Sequence, residues 1–170
     1  MAASLSAIPN GSNLLIDTNI FVYGLTDASA QCKSLLARCS SEEVYGITLF
    51  EVVHEATHDF MRAEARAKGY FTATEKGAKY LMKHSEQVKL LSSYWANTQR
   101  LLALNIVFVF LPMEEDIVVR AQPERASAGL LTNDSIIVAA MREYGILQIA
   151  TNDRQFDNVL GLSVFSPTDI

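Results

Sequence analysis

Residues 14–25 read LLIDTNIFVYGL. The apolar run Leu14-Leu15-Ile16 is too short for a helix and reads as a buried strand, and a carboxylate, Asp17, follows it at once. Similar short runs, rich in β-branched or aromatic residues, recur over residues 44–47, 106–111, 147–150 and 162–165. Between them, residues 28–38, 49–68, 74–104, 114–122 and 133–143 place apolar side chains at three- and four-residue spacing, the period of a helix. Local punctuation agrees. Thr72-Ala73-Thr74-Glu75 has the form of a capping box, Gly69 and Gly145 stand where helices should stop, and Pro112 and Pro123 interrupt the pattern. There is no internal repeat, low-complexity tract or linker. Strands alternating with helices imply an α/β fold with a mostly parallel sheet covered on both faces.

The chain has 170 residues, 49% of them hydrophobic, enough to fill one sizeable core. Its two cysteines, Cys32 and Cys39, are too few for a disulfide framework or a cysteine-based zinc site, which fits a reducing, cytoplasmic setting. No apolar run approaches the roughly 18 residues of a membrane span, and the opening MAASLSAIPNGSN lacks the charged start of a secretion signal. Residues 1–12 are expected to be loose. Net charge is −5, which on average disfavours a polyanionic partner. The average hides an asymmetry: residues 61–100 carry eight basic against three acidic side chains, so the remainder is strongly acidic. That segment reads as the solvated face of long helices or as a phosphate-attracting flank, with Lys76, Lys79 and Lys83 as candidate contacts to a phosphate backbone.

In an open parallel sheet the site lies beyond the carboxyl ends of the strands, so the residues that follow the strands carry the functional information. Asp17 follows the first run, and Glu51 lies in the first turn of the helix after the second. Asp134 heads the helix DSIIVAA, and Asp153 follows the fourth run in IATND. Singly, each is explained by a helix dipole or a turn. Gathered at one edge they would repel one another unless a divalent cation neutralised them, and an oxygen-rich acidic set suits Mg²⁺ or Mn²⁺. Such ions activate water and orient a phosphodiester for in-line displacement. Thr18, Asn19, Asn133, Thr151 and Asn152 flank the acids as supporting residues able to orient carboxylates or to cap helices.

Taken together, LLIDTNIFVYGL, ITLFEVVHEAT (47–57), GLLTNDSIIVAAMREYGI (129–146) and IATNDRQFDNV (149–159) resemble the PIN-domain family, most of all its VapC-type toxin ribonucleases. The resemblance implies a three-layer α/β/α sandwich with a central, mostly parallel five-stranded sheet. It would span residues 13–170 as a single domain, with a long helical insert around 61–104. It further implies metal-dependent cleavage of single-stranded or looped RNA, with Asp17, Glu51, Asp134 and Asp153 as the catalytic and metal-binding acids. A homodimer and a cognate antitoxin protein belong to the same expectation.

A second reading competes. Residues 54–58, HEATH, fit the H-E-x-x-H zinc-protease pattern, with His54 and His58 one turn apart and Glu55 between them. The extended form of that pattern asks for Gly and His where this chain has Met61 and Glu64, and a protease leaves Asp17, Asp134 and Asp153 unexplained. A catalytically silent RNA-binding module of the same fold is a third reading, which the presence of all four acids disfavours. Counted from Glu51, His54, Glu55 and His58 lie three, four and seven residues on, along one helical stripe. His84 reads as solvated, Tyr80, Tyr94 and Trp95 as core, and Asp116 and Asp157 as reserve acids.

Overall fold

The structure is a computed structural model that describes residues 2–72, 77–111 and 116–170. Lys76, the capping-box residues Ala73, Thr74 and Glu75, and Pro112 lie outside the described residues. Among the described residues six strands form one sheet: β1 (Ala3–Ser4), β2 (Asn13–Ile16), β3 (Tyr45–Leu49), β4 (Val107–Val109), β5 (Gln148–Ala150) and β6 (Ser163–Ser166). Their order is β1-β6-β5-β2-β3-β4, and every pairing is parallel. The five expected strands are all present. The sixth, β1, comes from the segment expected to be loose: Ala3 and Ser4 pair with Phe165 and Ser166, while Leu5 and Ile8 are buried in the main core. Two apolar anchors thus hold residues that carry no strand-like run of their own.

Among the described residues eight α-helices accompany the sheet: α1 (Thr18–Leu25), α2 (Ala30–Ser40), α3 (Phe50–Ala67), α4 (Gly77–Lys83), α5 (Ser85–Val88), α6 (Ser93–Leu102), α7 (Asp116–Ala128) and α8 (Thr132–Glu143). Leu14, Leu15 and Ile16 are all fully buried, as central parallel strands covered on both faces must be. Gly69 and Gly145 follow α3 and α8 with φ of +72° and +66°, the left-handed turn that ends a helix at little cost only for glycine. Pro123, expected to break the pattern, instead lies within α7. The expected helix over 74–104 is divided among α4, α5 and α6, which fold back as a small lobe around Ala65, Phe71, Leu81 and Leu91. Within it Tyr80 and Tyr94 pack half-buried, and His84 is exposed and stacked on Tyr80. Trp95 is 52% exposed and does not join the core as expected.

Glu64 fastens this lobe to α3. Its buried carboxylate accepts hydrogen bonds from the backbone N–H groups of Ser92 (2.9 Å) and Tyr94 (2.9 Å) at the start of α6, and Lys68 lies 3.5 Å away. Burial raises the Glu64 carboxyl, but the N–H donors of Ser92 and Tyr94 outweigh it and hold the group below its usual range. Glu64→Ala should therefore cost about 1–3 kcal/mol by stranding those donors, read as a lower melting temperature. Glu64→Gln, which keeps an acceptor, should lose less. An unchanged melting temperature in both variants would show that the lobe docks without this contact.

Candidate active site

The central strand β2 pairs with β3 on one side and β5 on the other, so the sheet reverses its winding direction there. In folds of this class that reversal opens a crevice at the carboxyl edge. The residues following β2 and β5 fill it, and they are bonded together. Asp17 caps α1, its Oδ1 accepting from the Thr18 N–H (2.7 Å) and its Oδ2 from Asn19 Nδ2 (2.7 Å) and Thr151 Oγ1 (2.6 Å). Asn19 Oδ1 accepts from the Asn152 N–H (2.8 Å), and Thr151 Oγ1 accepts from the Asp153 N–H (3.0 Å). The D-T-N and T-N-D segments therefore interlock across 133 residues of sequence; Thr18, Asn19 and Thr151 bond directly to the acids, and Asn152 is tied through its backbone to Asn19. Asp153 also caps the short 3₁₀ helix Arg154–Asn158 through the Gln155 N–H (2.8 Å).

An open cleft of about 550 Å³ lies over this network. Asp17, Asp134 and Asp153 line it together with Thr18, Asn19 and Asn133. So does Glu55. Its Oε2 accepts a hydrogen bond from Thr18 Oγ1 at 3.1 Å. Burial pushes the Asp17 carboxyl from 3.8 up to about 6, with Glu55 and Asp134 adding to a rise that the Thr151 and Thr18 bonds oppose. Burial raises Asp134 too, with Asp153 and Glu55 contributing. Asp17, Glu55, Asp134 and Asp153 thus form one electrostatically coupled set.

Glu51, the glutamate expected in this set, is elsewhere. Exposed like Glu55, it lines a neighbouring cavity that Glu55 and Asn133 also border, with Leu49, Val52, Leu111 and Ile136. The helix begins at Phe50, so its first turn lies to one side of the crevice, and the side chain one turn further along is the one that reaches Thr18. Asp59, another turn on, also lines the acidic cleft and pairs with Arg62 at 2.6 Å. The signal for Glu55 was its i+4 spacing from Glu51; spacing alone ranks neither residue above the other. Asp157 is exposed and outside the cleft, as are Lys79 and Lys83 on α4.

Neither half of HEATH assembles a zinc site. His54 packs edge-on against Phe50 with centroids 4.9 Å apart, His58 is exposed, and among the described residues no three His, Cys, Asp or Glu side chains stand close enough to hold one ion. Zinc requires three or four direct protein ligands. Magnesium is commonly held by one or two carboxylates and several waters, so an open, carboxylate-lined cleft fits it without such a cage.

The model of the PIN domain family matches residues 14–162. The chain belongs to this family. Among solved structures the PIN domain is similar to the Rickettsia felis VapBC2 complex bound to a DNA fragment from its promoter, with a TM-score of 0.59, 13% identity, and coverage of 91% of this chain and 98% of that one. A toxin–antitoxin complex from Klebsiella pneumoniae gives a TM-score of 0.57 and 18% identity, covering 92% and 99%. The sarcin-ricin loop cleaving toxin VapC20 of Mycobacterium tuberculosis gives 0.53 and 14%, covering 85% and 92%. Likeness at these identities establishes the fold. No curated protein matches this chain in sequence. Among the described residues no helix is long and apolar enough to cross a membrane.

Proposed function

We propose that this PIN domain is a Mg²⁺- or Mn²⁺-dependent endoribonuclease acting on single-stranded or looped RNA, and the toxin of a toxin–antitoxin pair. The observation that carries the proposal is the convergence of Asp17, Glu55, Asp134 and Asp153 on one cleft, with Asp17 and Asp134 both strained toward protonation. Four facing carboxylates without a cation are mutually repulsive, and fixed acids beside an open cleft suit a hard ion better than any neutral ligand. A bound Mg²⁺ or Mn²⁺ would offset that charge, polarise the phosphodiester and make an attacking water more acidic.

The chain's own residues do the rest. Asp17 and Asp134 would hold the ion, with Asp153 and Glu55 completing the ring of charge. Thr151, Asn19 and the Thr18 N–H occupy lone pairs of Asp17 and fix the direction of those that remain. Glu55 is the acid best placed to orient a water, because Thr18 holds one of its oxygens and leaves the other free to accept. In-line attack at phosphorus leaves a 5′-phosphate and a 3′-hydroxyl. A cognate antitoxin, a homodimer and a cytoplasmic setting belong to the same proposal, and the neighbours solved as toxin–antitoxin complexes support the first of these.

Metal-stripped protein should cut single-stranded RNA when Mg²⁺ or Mn²⁺ is returned and leave casein intact with Mg²⁺, Mn²⁺ or Zn²⁺. Zinc-restored proteolysis, or RNA cleavage indifferent to chelation, would overturn the reading.

A further inference from the structure

Helix α3 carries a charge pattern along one stripe. Glu55, Asp59, Arg62 and Arg66 recur at i, i+4, i+7 and i+11, one above another on the same face. The first two line the acidic cleft. Asp59 also borders a second cavity, of about 480 Å³, which it shares with Tyr23 of α1, with Thr26 just after it, and with Arg62, Ala63, Arg66 and Phe71. The two cavities adjoin at Asp59 on α3, the first lined by acids and the second by Arg62 and Arg66.

A polyanionic strand faces a difficulty at the acidic cleft. Neither that cleft nor the cavity on its other flank contains a Lys or Arg, so affinity for a phosphate backbone has to come from elsewhere. Along the helix axis Arg62 and Arg66 stand about 10 and 16 Å from Glu55, within reach of the next few phosphates of an extended strand. Arg62 is paired at the surface with Asp59, and Arg66 is exposed with no ion-pair partner among the described residues. Between them, Ala63 leaves the floor of the cavity open and Tyr23 offers a half-buried ring. Guanidinium groups beside an apolar and aromatic floor are the chemistry that holds a single-stranded nucleotide: cation on phosphate, ring and methyl groups under the base.

We propose that this cavity is a nucleotide subsite flanking the scissile bond, in which Arg62 and Arg66 hold backbone phosphates and the Tyr23–Ala63 floor receives a base. The assignment rests on the ribonuclease reading above, deepens it to the path of the RNA, and relocates the cationic contact from Lys79 and Lys83 on α4. A polypeptide could also use an apolar groove. Adjacency to the acidic cleft at Asp59 and the alignment of the arginines with it favour RNA.

The test is binding of a fluorescein-labelled oligouridylate by the full chain in EDTA, followed by fluorescence anisotropy over a range of salt, with cleavage measured separately in Mg²⁺. Arg62→Gln/Arg66→Gln should weaken binding about tenfold and shallow the slope of log K against log[salt] by about 0.7 for each arginine. In cleavage it should raise KM with little change in kcat. Ala63→Phe, which fills the cavity without changing charge, should weaken binding with the slope unaltered. Both sites are at the surface, and an unchanged circular dichroism melt verifies the fold. Parent-like affinity and slope in the double arginine variant, with the parent active, would overturn the subsite, spare the ribonuclease reading and leave the cavity to a polypeptide. An equal loss in Lys79→Gln/Lys83→Gln would make the attraction diffuse and overturn it too. A parent that neither binds nor cuts RNA would overturn both readings.

Discussion

Glu55→Gln should reduce RNA cleavage by up to about 100-fold, while Glu51→Gln, one turn earlier on α3, should leave it close to the parent rate. The two glutamates are four residues apart on one stripe and border one cavity, yet only Glu55 also lines the acidic cleft. Glu55 is bonded to Thr18, which adjoins Asp17, and its charge contributes to the raised proton affinity of both Asp17 and Asp134. Glu51 is not among the charges that raise either, and it lines only the neighbouring cavity, where Leu49, Val52, Leu111, Ile136 and Ile137 surround the two glutamates, His54 and Asn133. Glutamine at the inner position still offers Thr18 an acceptor, so the local structure should persist and only the charge is removed. That makes the pair a clean comparison: both variants should melt like the parent, and single-turnover rates with saturating Mg²⁺ should separate them. Equal losses, or a larger loss at Glu51, would mean that the first turn of α3 swings inward when RNA and metal bind, and the assignment of Glu55 would fail.

The glutamates also show where sequence stops being sufficient. Strand positions were legible because a buried parallel strand must be apolar on both faces, and Leu14-Leu15-Ile16 between polar neighbours admits little else. Asp17 and Asp153 were legible for a related reason: a carboxylate immediately after such a strand is at the sheet edge whatever the helices do. A helical acid is different. Its stripe can be read from spacing, but the turn that reaches the crevice depends on where the helix starts and how it crosses the sheet, which tertiary packing decides. The same limit explains β1, whose two residues hold no strand signal and are carried into the sheet by Leu5 and Ile8. It explains α1, where T-N-I-F-V-Y-G-L is apolar on nearly every side and so has no clear helical period. It also explains the divided helix of the lobe: the breaks at His84 and at Leu91–Ser92 coincide with no proline or glycine, and the second is held by Glu64 from a different helix. Buried charge was equally out of reach. Nothing in the letters L-I-D-T-N separates an exposed helix cap from one that is 7% exposed and faces two other acids.

That burial yields the second large effect. Asp17→Asn should lower cleavage by about 1,000-fold, the upper range for loss of a single preorganised charge contact, and should also change how the metal-free protein responds to pH. The folded-state pKa of Asp17, about 6, lies above its ordinary 3.8. A group shifted in that direction favours the folded state fully below about pH 4 and loses that contribution as pH rises through 6, a difference of roughly 3 kcal/mol. Glu64 is shifted the other way, so its contribution is present above the ordinary carboxylate range and fades as pH falls below it. In EDTA the parent should therefore lose melting temperature between about pH 4 and pH 7, and Asp17→Asn should flatten that decline. Saturating Mg²⁺ opposes the same charge, so the gain in melting temperature on adding it should be small at pH 5 and grow toward pH 7, because protons and cation compete for one carboxylate. A thermal melt series with and without chelator reads both trends, independently of any nuclease assay. If the Mg²⁺ gain were flat across that range while RNA cleavage still required Asp17, the ion would bind without displacing a proton from this group. Asp134, the other acid whose proton affinity burial raises, would then be the carboxylate that sets the acid limb of the activity.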